Sequence, residues 1–239
     1  MNHDTLTRRG LLRQAAGGAA LVSALHAQNQ PVTSAARIRE SFDFGWKFLK
    51  GDSPGAQQPE FPDTAWRAVD IPHDWSIEGP FSEQEKAQGS LPTGIGWYRK
   101  HFRLPESFKD RTVVIEFDGV YQNSEVWING RYLGKRPYGY VAFSYDLSPH
   151  LHTGDNVIAV KVDNSKQPNC RWYSGSGIYR HTWLLTTDRL HVAYWGTFVT
   201  APRVSKDAAT LQVKTRVRNQ RQNFATCVLS TSLVDRSGS

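Results

Sequence analysis

Short segments in which apolar and polar residues alternate are the feature that most constrains this fold. Residues 112–118 and residues 156–163 each place three large apolar side chains on one face. These predicted inward side chains are Val113, Ile115 and Phe117 in the first segment and Ile158, Val160 and Val162 in the second. A repeat of two residues is that of a β-strand with one buried face. Since no helical repeat is sustained beyond residue 41, the sequence predicts an all-β fold.

A tight turn connects two of the predicted strands. Asn129-Gly130 lies between the apolar segment 125–128 and the segment 131–133. Both central residues of a type I′ turn take positive φ, which asparagine and glycine accept most readily, so a β-hairpin is predicted here. Residues 178–185 are predicted as a further strand. Several short strands separated by turns at this spacing predict a β-sandwich.

The texture of the sequence changes near Asp188. Aromatic residues become rarer, basic residues accumulate, and residues 208–217 alternate like a strand of a second sandwich. We therefore predict one domain over residues 41–187 and a second over residues 188–239. About fifty residues are half of the ~100 that an immunoglobulin-like domain needs, so the second domain is predicted to be incomplete and only marginally ordered.

The first 27 residues have the composition of a targeting segment. Arg8 and Arg9 precede a short apolar run that is rich in alanine and glycine and ends in a small-x-small sequence at Ala27. This pattern resembles a twin-arginine signal and predicts a periplasmic or secreted protein, with residues 28–40 as a linker. The run is too short for a membrane span, so none is expected after signal removal. A basic amphipathic helix on the surface is the alternative interpretation.

The distribution of charge argues against nucleic-acid binding. The formal net charge is +7, but residues 28–200 contain nineteen basic and nineteen acidic residues. The excess lies in residues 1–27, at +2, and in residues 201–239, at +5. A nucleic-acid-binding domain is expected to carry its positive excess on the folded binding face.

Neither a metal site nor a cofactor is predicted. Cys170 and Cys227 have no metal-ligand spacing, and the eight histidines form no cluster with them. Free thiols are favoured over a disulfide between them, although an oxidising compartment would permit one.

The segment 167–185 is the first candidate binding site. Arg171 precedes Trp172 and Tyr173, and residues 174–177 form a Ser-Gly-Ser-Gly turn. A charged group set among aromatic rings suits a sugar, because hydroxyls need directed partners while the C–H face of a pyranose packs on an aromatic ring. The alternative is a buried turn whose aromatic side chains belong to the core.

Four blocks of this sequence are similar to the glycoside hydrolases of family 2, most closely the β-galactosidase type. They are residues 44–48, Trp66 with residues 71–76, residues 94–100, and a long run from Phe117 to Arg180 that includes 127–130 and 171–180. The resemblance covers residues 41–187 and implies a jelly-roll sugar-binding domain. It also implies an immunoglobulin-like sandwich after it and a catalytic TIM barrel further downstream, acting on a β-linked glycan.

The resemblance implies sugar contacts but no catalysis within this chain. Family members use two glutamates, of which the acid/base follows an asparagine, and this chain has no Asn-Glu dipeptide. The position of Arg171 touches the sugar in the family, although some members carry an acid there, so Arg171 and Trp172 are predicted to bind substrate. The block His73-Asp74-Trp75 is the second candidate, with seating of the domain against its neighbours as the alternative role.

Nearby carboxylates are assigned differently. Glu78, Glu83 and Glu85 lie on a loop with glycine and serine, and we expect all three to face solvent.

The expected function is therefore the N-terminal, non-catalytic portion of a family 2 glycoside hydrolase. A free-standing carbohydrate-binding or adhesion module with the same jelly roll is the alternative. The reading frame after Ser239 separates the two, since only the first requires a downstream barrel pattern.

Overall fold

The computed structural model describes residues 37–83, 90–170 and 172–237. Within these ranges the regular elements are β-strands and two single turns of 3₁₀ helix, at Glu106–Phe108 and Ser148–His150. The described residues form two compact units, the first ending at Asp188 and the second beginning at Arg189. The prediction of an all-β fold is confirmed.

The first unit contains ten strands. In chain order they are β1 (Ile38–Ser41), β2 (Trp46–Lys50), β3 (Arg67–Val69), β4 (Gly94–Arg103), β5 (Thr112–Phe117), β6 (Ser124–Ile128), β7 (Arg131–Arg136), β8 (Phe143–Asp146), β9 (Asp155–Asn164) and β10 (Thr182–Thr187). Six of them form one sheet in the order β3-β2-β4-β9-β6-β7, and four form another in the order β1-β10-β5-β8. All neighbours are antiparallel.

The hydrophobic core is built from the inward faces of the two sheets, which makes the unit a β-sandwich. The side chains predicted to point inward from the alternation are all buried: Val113, Ile115, Phe117, Ile158, Val160 and Val162. They belong to one continuous cluster with Trp46, Trp75 and Tyr98. Alternation therefore identified the core face of both strands correctly.

The hairpin at Asn129-Gly130 is also confirmed. Asn129 has φ 48° and Gly130 has φ 77°, and the turn joins β6 to β7 with Ile128 opposite Arg131.

Two segments differ from the sequence prediction. The strand predicted from residue 178 begins at Thr182, because Gly177 pairs with Tyr121 in an isolated bridge and the Ile178 carbonyl accepts from His73. Residues 38–40, which were predicted as linker, lie in β1 and pair with β10.

The second unit is a long hairpin. Strands β11 (Leu190–Val204) and β12 (Ala209–Asn219) form a two-stranded antiparallel sheet, with irregular pairing around residues 193–196 and 201–202. The strand predicted within residues 208–217 is therefore present, and the second β-region is a short sheet. Most of its side chains are exposed.

Two further findings concern the described part of the chain. It contains no helix of the length and hydropathy needed to cross a membrane. Both cysteines are free thiols, as favoured from the sequence.

Candidate functional site

Two loops with sequence-predicted site residues lie side by side in the sandwich. Residues 73–76 run along residues 176–178, with His73 N donating to the Ile178 carbonyl at 2.8 Å and Trp75 N to the Ser176 carbonyl at 3.1 Å. A third contact joins two buried hydroxyls, since Ser76 Oγ donates to Ser176 Oγ at 2.7 Å. The fold thus brings the two candidate segments, about a hundred residues apart in sequence, into one structure.

Asp74 connects the two loops through its carboxylate. Oδ1 accepts from the backbone N–H of Ser76 at 2.9 Å and from that of Ser176 at 2.8 Å. Oδ2 accepts a hydrogen bond from the Tyr173 hydroxyl. Gly175 has φ +74°, and a Cβ there would lie 2.7 Å from Oδ2. Only glycine therefore fits at this position, for its conformation and for the space beside Asp74.

Trp172 belongs to an exposed group of aromatic side chains, which we call the aromatic surface and define as Tyr138, Tyr140, Trp172 and Tyr173. Trp172 is 62% exposed, and its Nε1 donates to the Tyr140 hydroxyl at 3.1 Å. The Tyr140 ring packs on buried Tyr121, with ring centroids 5.3 Å apart, and contacts Tyr138 at 5.5 Å. The surface is thus anchored to the core through Tyr121.

Tyr173 is held in its neutral form. Partial burial, followed by its hydrogen bond to Asp74 and the negative charge of that carboxylate, raises the pKa of the Tyr173 hydroxyl well above its ordinary value. The phenol is therefore a donor at neutral pH.

Arg171, the residue on which the sequence argument relied most, lies outside the described residues. Its predicted contact with a sugar stays a prediction. On either side the chain is described, and the Cys170 thiol donates to the Trp172 carbonyl at 2.9 Å.

His73 is buried in a polar cluster. Its Nδ1 lies 2.6 Å from the Tyr98 hydroxyl, and its Nε2 lies 2.9 Å from Arg67 Nη2. Nε2 also lies 3.2 Å from Glu78 Oε1, so this nitrogen faces both a guanidinium, which only donates, and a carboxylate, which only accepts. Burial lowers the pKa of His73, with Glu78 acting in the opposite direction. The imidazole is therefore neutral at neutral pH, and both of its ring nitrogens contact protein groups.

Glu78 confirms one sequence expectation and adds to it. Its side chain is 39% exposed, yet Oε2 accepts from Arg67 Nη2 at 2.5 Å and Oε1 lies 3.2 Å from His73 Nε2. Glu78 is exposed, as expected, but it is not an isolated carboxylate, because Arg67, eleven residues earlier in the chain, pairs with it. Glu83 is exposed, and Glu85 lies outside the described residues.

Trp75 lies in the hydrophobic core. It is 2% exposed and stacks on Phe48, with ring centroids 5.5 Å apart and an angle of 22° between the planes. Gly96 lies so close that an added Cβ would be 2.7 Å from the indole. The predicted contact of Trp75 with substrate is untested, but its buried indole offers very little ring surface to a ligand.

Asn164 is a site residue that the sequence argument missed. Fully buried at the end of β9, it donates to Ser176 Oγ at 2.8 Å and to the Gly175 carbonyl at 3.3 Å. Its Oδ1 accepts from the amides of Gln122, Gln167 and Asn169. A signal was present, since position 164 continues the inward register of Ile158, Val160 and Val162 and places an amide where an apolar residue is expected.

Within the described ranges no group of three or more histidine, cysteine, aspartate or glutamate side chains is arranged to hold a metal ion. What the site offers instead is aromatic area with the phenol hydroxyls of Tyr138 and Tyr140, because the Trp172 N–H and the Tyr173 O–H already donate within the protein. Such a surface binds ligands that combine an apolar face with hydroxyls.

Comparison with known proteins agrees with this geometry. Residues 56–188 match the family described as glycosyl hydrolases family 2, sugar binding domain. The chain is 48% identical over 206 residues to the β-galactosidase BoGH2A of Bacteroides ovatus, covering 84% of this chain and 24% of that protein. It is 40% identical over 189 residues to a putative β-glucuronidase of Formosa agariphila, covering 78% of this chain and 18% of that protein.

A solved structure shows the same fold. The crystal structure of a β-glycosidase from Bacteroides vulgatus superposes with a TM-score of 0.74 at 46% identity, over 78% of this chain and 25% of that one. The chain thus spans about a quarter or less of the length of these relatives, and the predicted jelly-roll sugar-binding domain is confirmed. The chain belongs to glycoside hydrolase family 2 and matches the N-terminal, sugar-binding part of that family's enzymes.

Proposed function

We propose that this chain is the non-catalytic, sugar-binding part of a β-galactosidase-type enzyme that hydrolyses a β-linked glycan. The observation that carries the proposal is the aromatic surface, exposed to solvent yet held by hydrogen bonds to Tyr140 and Asp74 and by packing of Tyr140 on buried Tyr121. The 48% identity to a β-galactosidase supports the galactoside over other substrates. The retaining carboxylate pair is supplied by a TIM barrel encoded downstream.

The proposed roles of the predicted residues differ. Trp172 packs on the apolar face of the sugar, and Arg171 donates to its hydroxyls. His73 and Trp75 support the loop from beneath, because both are buried. This division keeps the sequence prediction for Arg171 and Trp172 and gives His73 and Trp75 a structural role within the domain.

A β-glucuronidase is the second candidate. It is favoured by the relative of that description at 40% identity and by Arg171, because a guanidinium pairs with a sugar carboxylate through two parallel hydrogen bonds.

The test assays the full-length protein with p-nitrophenyl β-galactoside and with the corresponding β-glucuronide. Arg171→Ala is expected to lower kcat/KM about ten- to a hundredfold, and Trp172→Ala about tenfold, each with an unchanged thermal midpoint. Trp195→Ala is the matched control, since Trp195 is 70% exposed in the second unit. A large fall in stability with Trp172→Ala, or equal losses with Trp195→Ala, contradicts the proposed site.

The 239-residue chain by itself is expected to hydrolyse neither substrate. It is also expected to bind galactose weakly, because one wall encloses only part of a monosaccharide. Measurable turnover by this chain would contradict the assignment of catalysis to a downstream domain. A reading frame that ends after Ser239 in unrelated sequence would instead favour a free-standing carbohydrate-binding or adhesion module.

We also propose export by the twin-arginine route, to the periplasm or beyond. The motivating residues, Arg8 and Arg9, lie outside the described residues, and the proposal rests on their sequence context. If a reporter fusion with both arginines changed to lysine is exported as efficiently as the native leader, the route is a different one.

A further inference from the structure

We infer that Asp74 is a positioning residue: its carboxylate fastens the loop 172–177 to the loop 73–76 and thereby fixes Tyr173 and Trp172 within the aromatic surface. We call this arrangement the Asp74 latch. Its effect on sugar binding rests on the proposed function, whereas the latch itself rests on the geometry of the described residues.

The acceptor capacity of Asp74 is largely used within the protein. A carboxylate offers about four acceptor directions, and three of them receive Ser76 N, Ser176 N and the Tyr173 hydroxyl. Gly175 closes one side of Oδ2, where even a Cβ would not fit. Little of the carboxylate remains for a sugar hydroxyl, so its contribution to binding is indirect.

The base of the latch is firmly built. Backbone hydrogen bonds from His73 and Trp75, and the buried pair Ser76–Ser176, join the two loops on either side of Asp74. Asn164 adds bonds to Ser176 Oγ and the Gly175 carbonyl from β9. These contacts fix residues 175–178, but they do not reach the aromatic tip of the loop.

Two side-chain hydrogen bonds hold the exposed rings of the tip. Tyr173, 44% exposed, donates to Asp74, and Trp172 donates to Tyr140. An exposed ring on a glycine-rich turn has several rotamers open to it, so a bond to a fixed anion reduces that freedom. Removing the carboxylate is therefore expected to release Tyr173 first and Trp172 with it.

The charge of Asp74 gives the latch a spectroscopic readout. Other residues in the neighbourhood that carry or can carry charge are His73, Glu78, Arg67 and the buried phenol of Tyr98, and these interact with one another. The Tyr173 phenol faces the Asp74 anion directly, which opposes its ionisation. Asp74→Asn keeps an amide oxygen for the two backbone donors but removes the negative charge. It therefore separates the effect of that charge on Tyr173 from the hydrogen bonds that hold the two loops together.

The first experiment uses the 239-residue chain and needs no substrate. Phenol ionisation is followed by absorbance near 295 nm in the native chain, Asp74→Asn, Tyr173→Phe and the double variant. Asp74→Asn is expected to shift one phenol to lower pH, and this shift is expected to vanish in the Tyr173→Phe background. An identical titration for the native chain and Asp74→Asn overturns the latch.

The second readout follows the position of Trp172. The fluorescence of Trp172 is the part of the signal that is lost in Trp172→Phe. Asp74→Ala is expected to change the acrylamide quenching of this part, whereas Asp146→Ala is expected to leave it unchanged. Asp146 is the matched control, because its Oδ1 also holds a turn, accepting from Ser148 N at 3.0 Å. If Asp74→Ala does not fold, Tyr173→Phe is used in place of that variant, because it removes the same hydrogen bond. Equal effects of Tyr173→Phe and Asp146→Ala contradict the latch.

The third readout is kinetic and uses the full-length protein. Asp74→Ala is expected to raise KM for an aryl β-galactoside about tenfold with kcat changed less than about twofold, and Asp74→Asn to restore most of the difference. An unchanged KM, or parallel losses of kcat and thermal midpoint, overturns the positioning role. If no variant and no native protein turns over substrate while the phenol shift is present, the latch stands and the proposed function fails.

Discussion

The two units of this chain use the same strand pattern with opposite results. In the sandwich, alternating residues such as Ile115 and Ile158 are fully buried between two sheets. In the hairpin of β11 and β12, Phe198 is 62% exposed and Val213 is 40% exposed, although the sequence alternates just as clearly. Alternation therefore encodes a strand with an apolar face, but not the partner that covers it.

The difference has a thermodynamic consequence. Burial of apolar surface contributes roughly 25 cal/mol per Å², and a two-stranded sheet with an uncovered face gains little of it. Such hairpins are only marginally stable in water unless a further sheet or helix packs on them. The sandwich holds the stability of the chain, whereas the hairpin contributes little. The positive excess of the C-terminal part, +5 for residues 201–239, lies outside the sandwich.

Limited proteolysis should reveal the largest contrast between the units. Local opening of a weakly packed segment costs close to zero, whereas opening of a core strand costs up to the global stability, about 5–15 kcal/mol for a domain. Trypsin is expected to cut within residues 189–237, for example after Arg218, orders of magnitude faster than within β4 or β9. Mass spectrometry of the early fragments identifies the sites.

Early cleavage inside the sandwich, with the hairpin still intact, would reverse this comparison. Chymotrypsin tests the same contrast at aromatic residues, which both units contain, and its cleavage does not depend on the number of basic residues.

The second contrast compares one substitution in both units. Arg99 is fully buried, donates to Asp63 Oδ2 at 2.7 Å, and also bonds backbone carbonyls between Ala56 and Phe61. Burial alone would raise the pKa of Asp63, but hydrogen bonds from Arg99 and His101 outweigh it and lower the pKa to about 2. Arg99→Ala leaves a buried carboxylate without this partner and should destabilise the sandwich by about 3–5 kcal/mol.

Arg216→Ala in the hairpin is the control. Arg216 is exposed on β12, and surface substitutions usually change stability by less than about 0.5 kcal/mol. Urea unfolding followed by tryptophan fluorescence measures both variants. If Arg99→Ala and Arg216→Ala change the free energy of unfolding equally within error, buried polar contacts do not distinguish the two units.

Local features of the fold could be predicted from the sequence. Strand periodicity depends on neighbours two residues apart, and the Asn129-Gly130 turn depends on the φ values of two adjacent residues. Both are written in contiguous sequence, which is why the buried faces of β5 and β9 were predicted correctly. The start of β10 was predicted too early, because the Ile178 carbonyl accepts a hydrogen bond from His73, in a loop distant in sequence, and does not pair within the sheet.

The polar architecture of the site could not be predicted in the same way. Asp74 and Ser176 are 102 residues apart, and Arg99 and Asp63 are 36 apart, so neither pair leaves a periodic trace in the sequence. The partners of Glu78 were missed for this reason, since its composition and loop context did not reveal Arg67 and His73. Hydrogen-bond partners become visible only when the topology brings distant loops together.

The smallest contrast concerns pH and tests whether a buried imidazole, as well as apolar area, sets the stability of the sandwich. Burial lowers the pKa of His73 below the 6.5 expected in the unfolded chain. The unfolded chain therefore binds a proton that the folded chain resists, so this contribution is complete above pH 6.5 and is lost as the pH falls toward the folded pKa. The thermal midpoint of the native chain should fall between pH 7.5 and 5.0, and His73→Gln should reduce that fall.

This pH range is chosen to separate His73 from its neighbour. The pKa of Glu78 is lowered from 4.5, because bonds from Arg67 and His73 outweigh its partial burial, so its own contribution is lost only below pH 4.5. His152→Gln, at an exposed histidine, gives the baseline for removing an imidazole. A His73→Gln variant whose thermal midpoint falls as steeply as that of the native chain would show that the Arg67–His73–Tyr98 contacts do not hold the imidazole neutral. The acid sensitivity of the sandwich would then have to arise from groups other than this buried cluster.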